Sequence, residues 1–302
     1  MVVAVICLEL LKYLVSVQMI IIAACFEVVM AGFAAFFLFS KEKRVKIVSA
    51  VLLAFALINL VPNIVVGLNQ NNFSAQPQYV IHAGGKVKGD KSYLNCEEPL
   101  IKFLAQGQNL VELDFMFTSD NRIVCTHRFE HTPYGYKNRP TADEFLSCDI
   151  DGYTAMSFER LLEVMENYPQ AKIVFDTKES KSSNIIAAMC AQAQNRNFDI
   201  FSRFIIQVYS LNDYNEVKAS FPQFKEFWFT NYKSNYPFKK MIKMFEDKKD
   251  VTTLVICKEG WCSYALCMLK TDKKIAVHTE NSAACKKFYF RGGVNYVYTD
   301  YV

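Results

Sequence analysis

The chain has 302 residues, of which 52% are hydrophobic, and its formal net charge is +4. This length suits one large domain with an appended segment. The small net charge lacks the basic excess of nucleic-acid-binding proteins, so we expect no nucleic-acid partner. None of the ten cysteines forms a Cys-x-x-Cys pair. Their spacing therefore argues against a structural zinc site or a thioredoxin-like motif and leaves the disulfides unassigned.

Two long apolar stretches open the chain. Residues 13–39 contain Glu27 as their only charged side chain, and residues 47–68 contain none. Each stretch is long enough to cross a lipid bilayer as a helix. We therefore predict a membrane anchor over residues 1–68, with two transmembrane helices at about 13–39 and 47–68.

The short loop between these two spans predicts their orientation. Residues 40–46 contain four basic side chains, and the positive-inside tendency places such a loop in the cytoplasm. Everything after the second span then lies on the outer side of the membrane. Residues 69–78 are polar and contain Pro77, which is typical of a linker. We predict a multi-pass protein of the cell membrane with an extracytoplasmic domain over residues 79–302.

Short β-rich runs alternate with helical stretches in this domain. The predicted strands are Tyr79–His82, Leu110–Phe117, Lys172–Lys178, Phe204–Tyr209, Glu226–Asn231, Thr252–Cys257, Lys274–Thr279 and Asn295–Thr299. Helical stretches between them include Ser157–Asn167, Lys181–Asn195 and Asn281–Phe290. This α/β alternation predicts a parallel sheet, and eight such strands predict a (β/α)8 TIM barrel. Barrels of this kind place their chemistry at the C-terminal ends of the strands.

An extra antiparallel strand is predicted after the second barrel strand. Asp120-Asn121 is the turn chemistry of a tight hairpin. If these two residues form the loop, His127 lies directly opposite Asp114. Because side chains alternate along a strand, Glu112 shares the face of Asp114. The hairpin then gathers two carboxylates and an imidazole, although alternating charges of this kind also occur on a merely solvated strand face.

Further polar side chains end other predicted strands. His82 ends the first strand, and Asp176 and Lys178 end the third. Together with Glu112 and Asp114, Asp176 supplies hard oxygen ligands, which suit Mg²⁺ or Ca²⁺ rather than zinc. Lys178 would neutralise an anionic oxygen of a substrate.

The histidines complete a set of groups suited to cleaving a phosphodiester. A metal would polarise the phosphate, while one of His82 and His127 removes a proton and the other protonates the leaving alkoxide. His278 ends the seventh predicted strand, so we assign it to the lining of the substrate pocket. A structural role remains the alternative for a histidine at the end of a strand.

In this order, the motifs resemble those of the glycerophosphodiester phosphodiesterase family, which is related to the phosphatidylinositol-specific phospholipase C barrels. The matching segments are His82-Ala83-Gly84, Asn95-Cys96-Glu97-Glu98, Glu112-Leu113-Asp114, Thr118-Ser119-Asp120, His127, Asp176-Thr177-Lys178, Thr279-Glu280-Asn281 and Gly293 to Asp300. The resemblance implies a (β/α)8 barrel, two histidines that act as general acid and base, carboxylates that hold a divalent cation, and a small insertion within residues 128–155.

The chain departs from the family pattern where phosphate is bound. Ala83 stands where many members carry a phosphate-contacting Arg, and Arg128 stands where many carry Asp after the second His. A basic group has therefore moved, and we predict that Arg128 or Lys178 makes the phosphate contact. Asp176 stands where Glu is commoner, and it offers the same carboxylate on a side chain one methylene shorter.

These inferences predict a membrane-anchored, metal-dependent phosphodiesterase. It would hydrolyse glycerophosphodiesters, or related phospholipid or envelope glycerophosphate substrates, to a phosphomonoester and an alcohol. Its partners would be the substrate head group and the lipid bilayer. One alternative is a phospholipase that forms a cyclic phosphate. Another is a catalytically silent barrel that binds lipid head groups or a partner protein, an alternative favoured by the departure at Ala83.

Overall fold

The structure, a computed structural model, describes residues 28, 31–32, 41–53, 78–86, 93–130, 135–150, 152–231, 236–258, 271–291 and 293–301. The strands in these ranges are β1 (Gln78–Ile81), β2 (Leu110–Phe117), β3 (Ile123–Cys125), β4 (Asp149–Ile150), β5 (Tyr153–Thr154), β6 (Lys172–Thr177), β7 (Phe204–Val208), β8 (Phe227–Asn231), β9 (Val251–Cys257), β10 (Lys274–His278) and β11 (Tyr296–Thr299). The helices after β1 are α1 (Glu97–Ala105), α2 (Ala142–Leu146), α3 (Phe158–Asn167), α4 (Ser182–Asn195), α5 (Ile200–Arg203), α6 (Leu211–Ser220), α7 (Phe238–Phe245) and α8 (Ala283–Arg291).

Eight parallel strands close into a barrel. Their order is β1-β2-β6-β7-β8-β9-β10-β11, and β11 pairs with β1 to complete the circle. Strand β3 runs antiparallel to β2, and β4 pairs with β5 in a separate ribbon. Each predicted barrel strand is confirmed to within one residue at both ends. The predicted TIM barrel with an extra antiparallel strand is therefore confirmed.

Side chains on the strands alternate between the barrel interior and the layer beneath the helices. The interior is packed by Val80, Val174, Ile205, Trp228, Val255, Ala276, Tyr296 and Tyr298. On β2, Leu113 and Phe115 belong instead to the larger apolar cluster that packs under the helices. Since neighbouring residues point to opposite faces, Glu112 and Asp114 point into the barrel.

Local capping determines where several helices begin. The Ser157 hydroxyl accepts a hydrogen bond from the Arg160 N–H at 3.1 Å at the start of α3. Thr141 and Glu144 form a capping box at the start of α2, in which each side chain accepts from the other residue's backbone N–H. These contacts satisfy N–H groups that have no partner inside the helix, and each is worth about 1 kcal/mol.

The predicted insertion over residues 128–155 holds α2 and the β4–β5 ribbon. Its Phe129, Phe145 and Ile150 pack with Leu94 and Val124 in a separate small cluster. Val124 lies on β3, so this cluster fixes the insertion to the hairpin that precedes His127. The insertion thereby supports one side of the barrel mouth.

The β2–β3 hairpin does not have the predicted register. Phe117 pairs with Ile123, so residues 118–122 form the connection instead of Asp120 and Asn121 alone. The cause lies in Thr118. Its N–H donates to the Arg122 carbonyl at 2.9 Å, and its hydroxyl accepts from the Arg122 N–H at 3.0 Å.

The register changes the partner of Asp114. The N–H of Thr126 donates to the Asp114 carbonyl at 2.9 Å, so Thr126 lies opposite Asp114. The predicted direct pairing of Asp114 with His127 is therefore wrong by one residue. His127 instead follows the end of β3, where the chain is no longer bound to the strand ladder.

The predicted membrane anchor falls mostly outside the described ranges. Residues 43–53 are helical and include the start of the second predicted span. No helix within the described part of the chain is long and apolar enough to cross a membrane. Residues 13–39 other than 28, 31 and 32, and residues 54–77, which include the rest of the second span and all of the linker except Gln78, lie outside it.

Two glycines with positive φ give a test of the packing around the first barrel strand. Gly85 has φ of 85° and Gly107 has φ of 79°. A Cβ added at Gly85 would overlap the ring of Phe103, whereas a Cβ added at Gly107 would meet nothing within 4 Å. We expect Gly107→Ala to lower the free energy of unfolding by about 1 kcal/mol from backbone strain, and Gly85→Ala by clearly more. Equal losses in chemical denaturation would contradict this packing.

Candidate active site

All eight predicted site residues meet at the end of the barrel where the strands finish. They line a cavity of about 780 Å³, whose wall is formed by His82, Tyr93, Glu112, Asp114, Met116, His127, Arg128, Glu130, Asp176, Lys178, Gln207, Tyr209, Thr230, Asn231, Val255, Ile256, Cys257 and His278. The roles assigned to the eight residues remain predictions, but the barrel places all of them around one space.

Three buried carboxylates lie together in this cavity. Asp114 and Asp176 are direct partners in the β2–β6 register, and Glu112 lies two residues before Asp114 on the same face. One oxygen from each carboxylate lies within 4.8 Å of the others. The side chains are almost fully buried, since Glu112 is 2%, Asp114 1% and Asp176 4% exposed. Such a group of buried charges requires a compensating cation.

Backbone and amide groups orient two of these carboxylates. The Ala83 N–H donates to Glu112 Oε2 at 2.8 Å. Asn95 makes two contacts with Asp114, because its Nδ2 donates to Oδ2 and its Oδ1 accepts from the Asp114 N–H, both at 2.9 Å. Ala83 and Asn95 both have positive φ, at 49° and 50°. The connection between β1 and α1 therefore adopts unusual backbone conformations at the two positions where it holds the acidic cluster.

Asp176 is held by a chain of side chains that crosses the barrel. The Tyr209 hydroxyl donates to Asp176 Oδ2 at 2.7 Å and accepts from Gln207 Nε2 at 2.7 Å. The Tyr298 hydroxyl donates in turn to Gln207 Oε1 at 3.2 Å. The other oxygen of Asp176, Oδ1, is buried and has no hydrogen-bond partner in the described residues. An unpartnered buried oxygen beside two further carboxylates fits a ligand atom for a metal ion.

Lys178 neutralises part of this negative charge. Its Nζ lies 2.8 Å from Asp114 Oδ1 and 2.5 Å from Asp176 Oδ2. Burial acts to lower the pKa of Lys178, but Asp114 and Asp176 outweigh it and raise the pKa above its usual value. Lys178 is therefore a charged group at the centre of the site.

The three carboxylates respond differently to their surroundings. Burial, followed by the charge of Asp114, raises the pKa of Glu112 to about 8. Burial also raises the pKa of Asp176. For Asp114, burial acts to raise the pKa, but the charges of Lys178 and His127 and the hydrogen bonds with Lys178 and Asn95 together outweigh it and lower the pKa. The set of hard oxygen donors, two of them destabilised as anions, fits a divalent cation such as Mg²⁺ or Ca²⁺.

His82 forms a dyad with Asp300. Its Nδ1 lies 2.6 Å from Asp300 Oδ1, so Nε2 is the ring nitrogen left to meet a substrate. Asn281 holds the carboxylate, because its Nδ2 donates to Asp300 Oδ2 and its Oδ1 accepts from the Asp300 N–H, both at 2.8 Å. Lys86 Nζ lies 3.6 Å from Asp300 Oδ2.

This dyad favours a protonated imidazole. Burial acts to lower the pKa of His82, but the hydrogen bond with Asp300 and the charge of Glu112 outweigh it and raise the pKa. Burial acts to raise the pKa of Asp300, but the hydrogen bond and charge of His82 lower it to about 2. His82 is therefore suited to donate a proton near neutral pH.

The other two histidines of the predicted site, His127 and His278, flank the same space. The His278 ring packs edge-on against the His82 ring at a centroid distance of 4.8 Å. Burial, followed by the charges of His82 and Lys178, holds the pKa of His278 well below its usual value. His127 reaches the cavity from the segment after β3, with its ring 4.5 Å from that of Tyr93. Arg128 is exposed at the rim.

Several residues of the site were not assigned a role from the sequence. Asn95, Asn281 and Asp300 stand inside the family-like motifs, and Asn281 and Asp300 also follow predicted strands, so these positions were a signal for polar site residues. Tyr209 and Tyr93 carry no comparable signal. Their roles depend on which side chains they contact across the barrel.

Solved structures resemble this barrel. A glycerophosphodiester phosphodiesterase from Thermotoga maritima is 21% identical, with a TM-score of 0.56, over 74% of this chain and 95% of that chain. One from Parabacteroides distasonis is 16% identical, with a TM-score of 0.58, over 75% and 93%. A phosphodiesterase from Oleispira antarctica, in complex with the product sn-glycerol-3-phosphate, is 17% identical, with a TM-score of 0.59, over 77% and 95%.

No family model and no curated protein matches the sequence. The likeness to the solved structures is a likeness of fold, because the identities are low. It covers the region in which the sequence motifs lie. The chain thus has the barrel fold of the glycerophosphodiester phosphodiesterases, and the resemblance inferred from its motifs is confirmed at that level.

Proposed function

We propose that the barrel is a metal-dependent phosphodiesterase that hydrolyses glycerophosphodiesters, or related phospholipid or envelope glycerophosphates, to a phosphomonoester and an alcohol. The observation that carries this proposal is the buried cluster of Glu112, Asp114 and Asp176 beside the His82–Asp300 dyad. A solved phosphodiesterase of the same fold binds sn-glycerol-3-phosphate, which is a product of this kind. The fold, the acidic cluster and the dyad support the same chemistry.

The residues of this chain would divide the reaction between them. Glu112, Asp114 and Asp176 would hold a divalent cation, and that cation would polarise the phosphate. His127 would remove a proton from the attacking water. His82 would protonate the alkoxide that leaves as the phosphorus–oxygen bond breaks, a role that fits its raised pKa.

Basic groups would contact the phosphate oxygens. Lys178 already lies among the carboxylates, and Arg128 lies at the rim of the same cavity. His278, with its lowered pKa, would line the pocket as a neutral ring. Ala83 supplies a backbone N–H to Glu112, so this position supports the acidic cluster although it carries no basic side chain.

We also propose that the protein is anchored in the cell membrane by residues 1–68, joined through a linker over residues 69–78 to a barrel on the outer face. The support is the pair of apolar stretches at 13–39 and 47–68 and the basic loop between them. An anchored barrel would meet lipid head groups or envelope glycerophosphates close to the bilayer.

The membrane topology can be tested with a reporter protein fused after the C-terminus. The reporter should be active only outside the cytoplasm, and cytoplasmic activity would rule out this topology.

The metal requirement can be tested by removal and readdition. Chelation should abolish turnover of glycerophosphocholine, and Mg²⁺ or Ca²⁺ should restore it, because the donor atoms are hard oxygens. Asp176→Asn should weaken metal binding measured by calorimetry, since it replaces one ligand charge. Asp143→Asn, a change at a side chain 93% exposed on α2, is the matched control and should bind metal normally. Restoration of turnover by zinc alone would contradict the assignment of a site for Mg²⁺ or Ca²⁺.

The two-histidine assignment predicts non-additive losses. Proton transfer by a positioned side chain is worth about 10²–10⁴ in rate, so His82→Ala and His127→Ala should each reduce kcat by roughly that factor. Groups that act as a unit are not additive, so the double variant should lose far less than the product of the two factors. Near-full activity of a stably folded His127→Ala protein would rule out its role.

The His82–Asp300 dyad predicts a change in the pH profile. Asp300→Asn removes a charge and a hydrogen bond that raise the pKa of His82, so the protonated imidazole would be lost at a lower pH. The high-pH limb of the kcat/KM profile should therefore move to lower pH. Asp272→Asn, at a carboxylate two residues before β10 whose side chain is 82% exposed, should leave the limb in place. An unmoved limb in Asp300→Asn would show that His82 is not the acid.

A further inference from the structure

Tyr93 has a backbone conformation that large side chains avoid. Its φ is 64°, in the left-handed region that glycine and asparagine adopt most readily. A bulky residue held there carries backbone strain, and strain of this kind persists where the surroundings enforce it. Burial in the apolar core does not offset this backbone strain, because Tyr93 is 38% exposed.

The ring of Tyr93 contacts both proposed catalytic imidazoles. Its centroid lies 4.8 Å from that of His82, with the planes at 75°, and 4.5 Å from that of His127, with the planes at 44°. Edge-on and tilted arrangements at these distances are favourable for aromatic pairs. Tyr93 therefore joins His82, at the end of β1, to His127, which follows β3.

The backbone around Tyr93 is tied to the acidic cluster. Asn95, two residues later, donates from Nδ2 to the Tyr93 carbonyl at 3.5 Å and to Asp114 Oδ2 at 2.9 Å. The Asn95 N–H donates to the Ala83 carbonyl at 2.9 Å. Leu94, between them, is 2% exposed. The segment is thus fixed directly after the strained residue, and this places the ring at the mouth.

We propose that Tyr93 is a positioning residue whose ring sets the spacing and orientation of the His82 and His127 imidazoles across the substrate phosphate. The strained backbone is what brings the ring between them. This inference rests on the proposed function, because it takes the two imidazoles as the acid and the base. Without the ring, the His127 imidazole gains freedom to turn away from the reacting oxygens, and the His82 imidazole keeps only its hydrogen bond with Asp300 and its contact with His278 to orient it.

Loss of a positioning residue has a different kinetic consequence from loss of a residue that binds substrate. Acid–base geometry matters in the transition state more than in the ground state, so loss of the ring should lower kcat and leave KM nearly unchanged. We expect a fall in kcat of roughly 10–10²-fold, less than the ~10²–10⁴-fold loss of an entire proton-transfer group. The proposed positioning depends on the ring and not on the hydroxyl, so Tyr93→Phe should retain the activity.

Three variants of the whole chain in detergent distinguish the effect of losing the ring from the effect of relieving the backbone strain. Tyr93→Ala removes the ring and keeps a side chain in the left-handed region, and Tyr93→Gly removes both. Both should show the same loss of kcat, while the Gly variant should unfold about 2–4 °C above the Ala variant. Tyr93→Phe should match the wild type within about twofold in kcat and rescue the defect. The matched control is Asn197→Gly, another residue with positive φ (54°), between α4 and α5, and it should leave kcat unchanged.

The kinetics of these variants distinguish failure of the positioning role from failure of the proposed function. A wild-type protein that turns over glycerophosphocholine together with a Tyr93→Ala protein of near-normal kcat would overturn the positioning role and leave the proposed function standing. A Tyr93→Phe protein as slow as Tyr93→Ala would also overturn it, because the hydroxyl and not the ring would be needed. A rise in KM with unchanged kcat would assign Tyr93 to substrate binding instead. A wild type without activity under any metal would overturn both proposals.

Discussion

The site depends on the burial of several like charges in one small space. The β2–β6 register sets Asp114 beside Asp176, and the alternation along β2 adds Glu112 on the same face. Three carboxylates removed from water repel one another and lose hydration, so the site needs a positive counterpart. Lys178 supplies one positive charge through contacts of 2.8 and 2.5 Å. Oδ1 of Asp176 has no hydrogen-bond partner within the described part of the chain, and a further cation would fit beside it.

Around this cluster, the barrel builds supports from distant parts of the chain. Asn95 holds Asp114, while Tyr209 holds Asp176. On the other side of the mouth, Asp300 at the end of the last strand holds His82 at the end of the first. A carboxylate that orients one imidazole and raises its pKa has a clear use in an acid–base enzyme. It has little use in a barrel that only binds a head group. This arrangement therefore favours the enzyme over the catalytically silent alternative.

Much of the fold was predictable because β/α alternation and apolar runs define the barrel strands locally. The ends of those strands also located the carboxylates. The hairpin register was not predictable from Asp120 and Asn121, because Thr118 closes a longer connection through its own N–H and hydroxyl. The contact of His82 with Asp300 joins residues 218 positions apart, and it exists only because β1 and β11 close the barrel. No local pattern encodes such a contact.

³¹P NMR of glycerophosphocholine incubated with the protein and Mg²⁺ or Ca²⁺ would show directly whether this barrel cleaves a phosphodiester. We expect the diester resonance to be replaced by that of glycerol phosphate, and the conversion to stop when the metal is chelated. No cyclic phosphate should accumulate, because the proposed nucleophile is water and not a substrate hydroxyl. Accumulation of a cyclic product would support the phospholipase alternative. An unchanged diester resonance with either metal would contradict the assignment of this barrel as a phosphodiesterase.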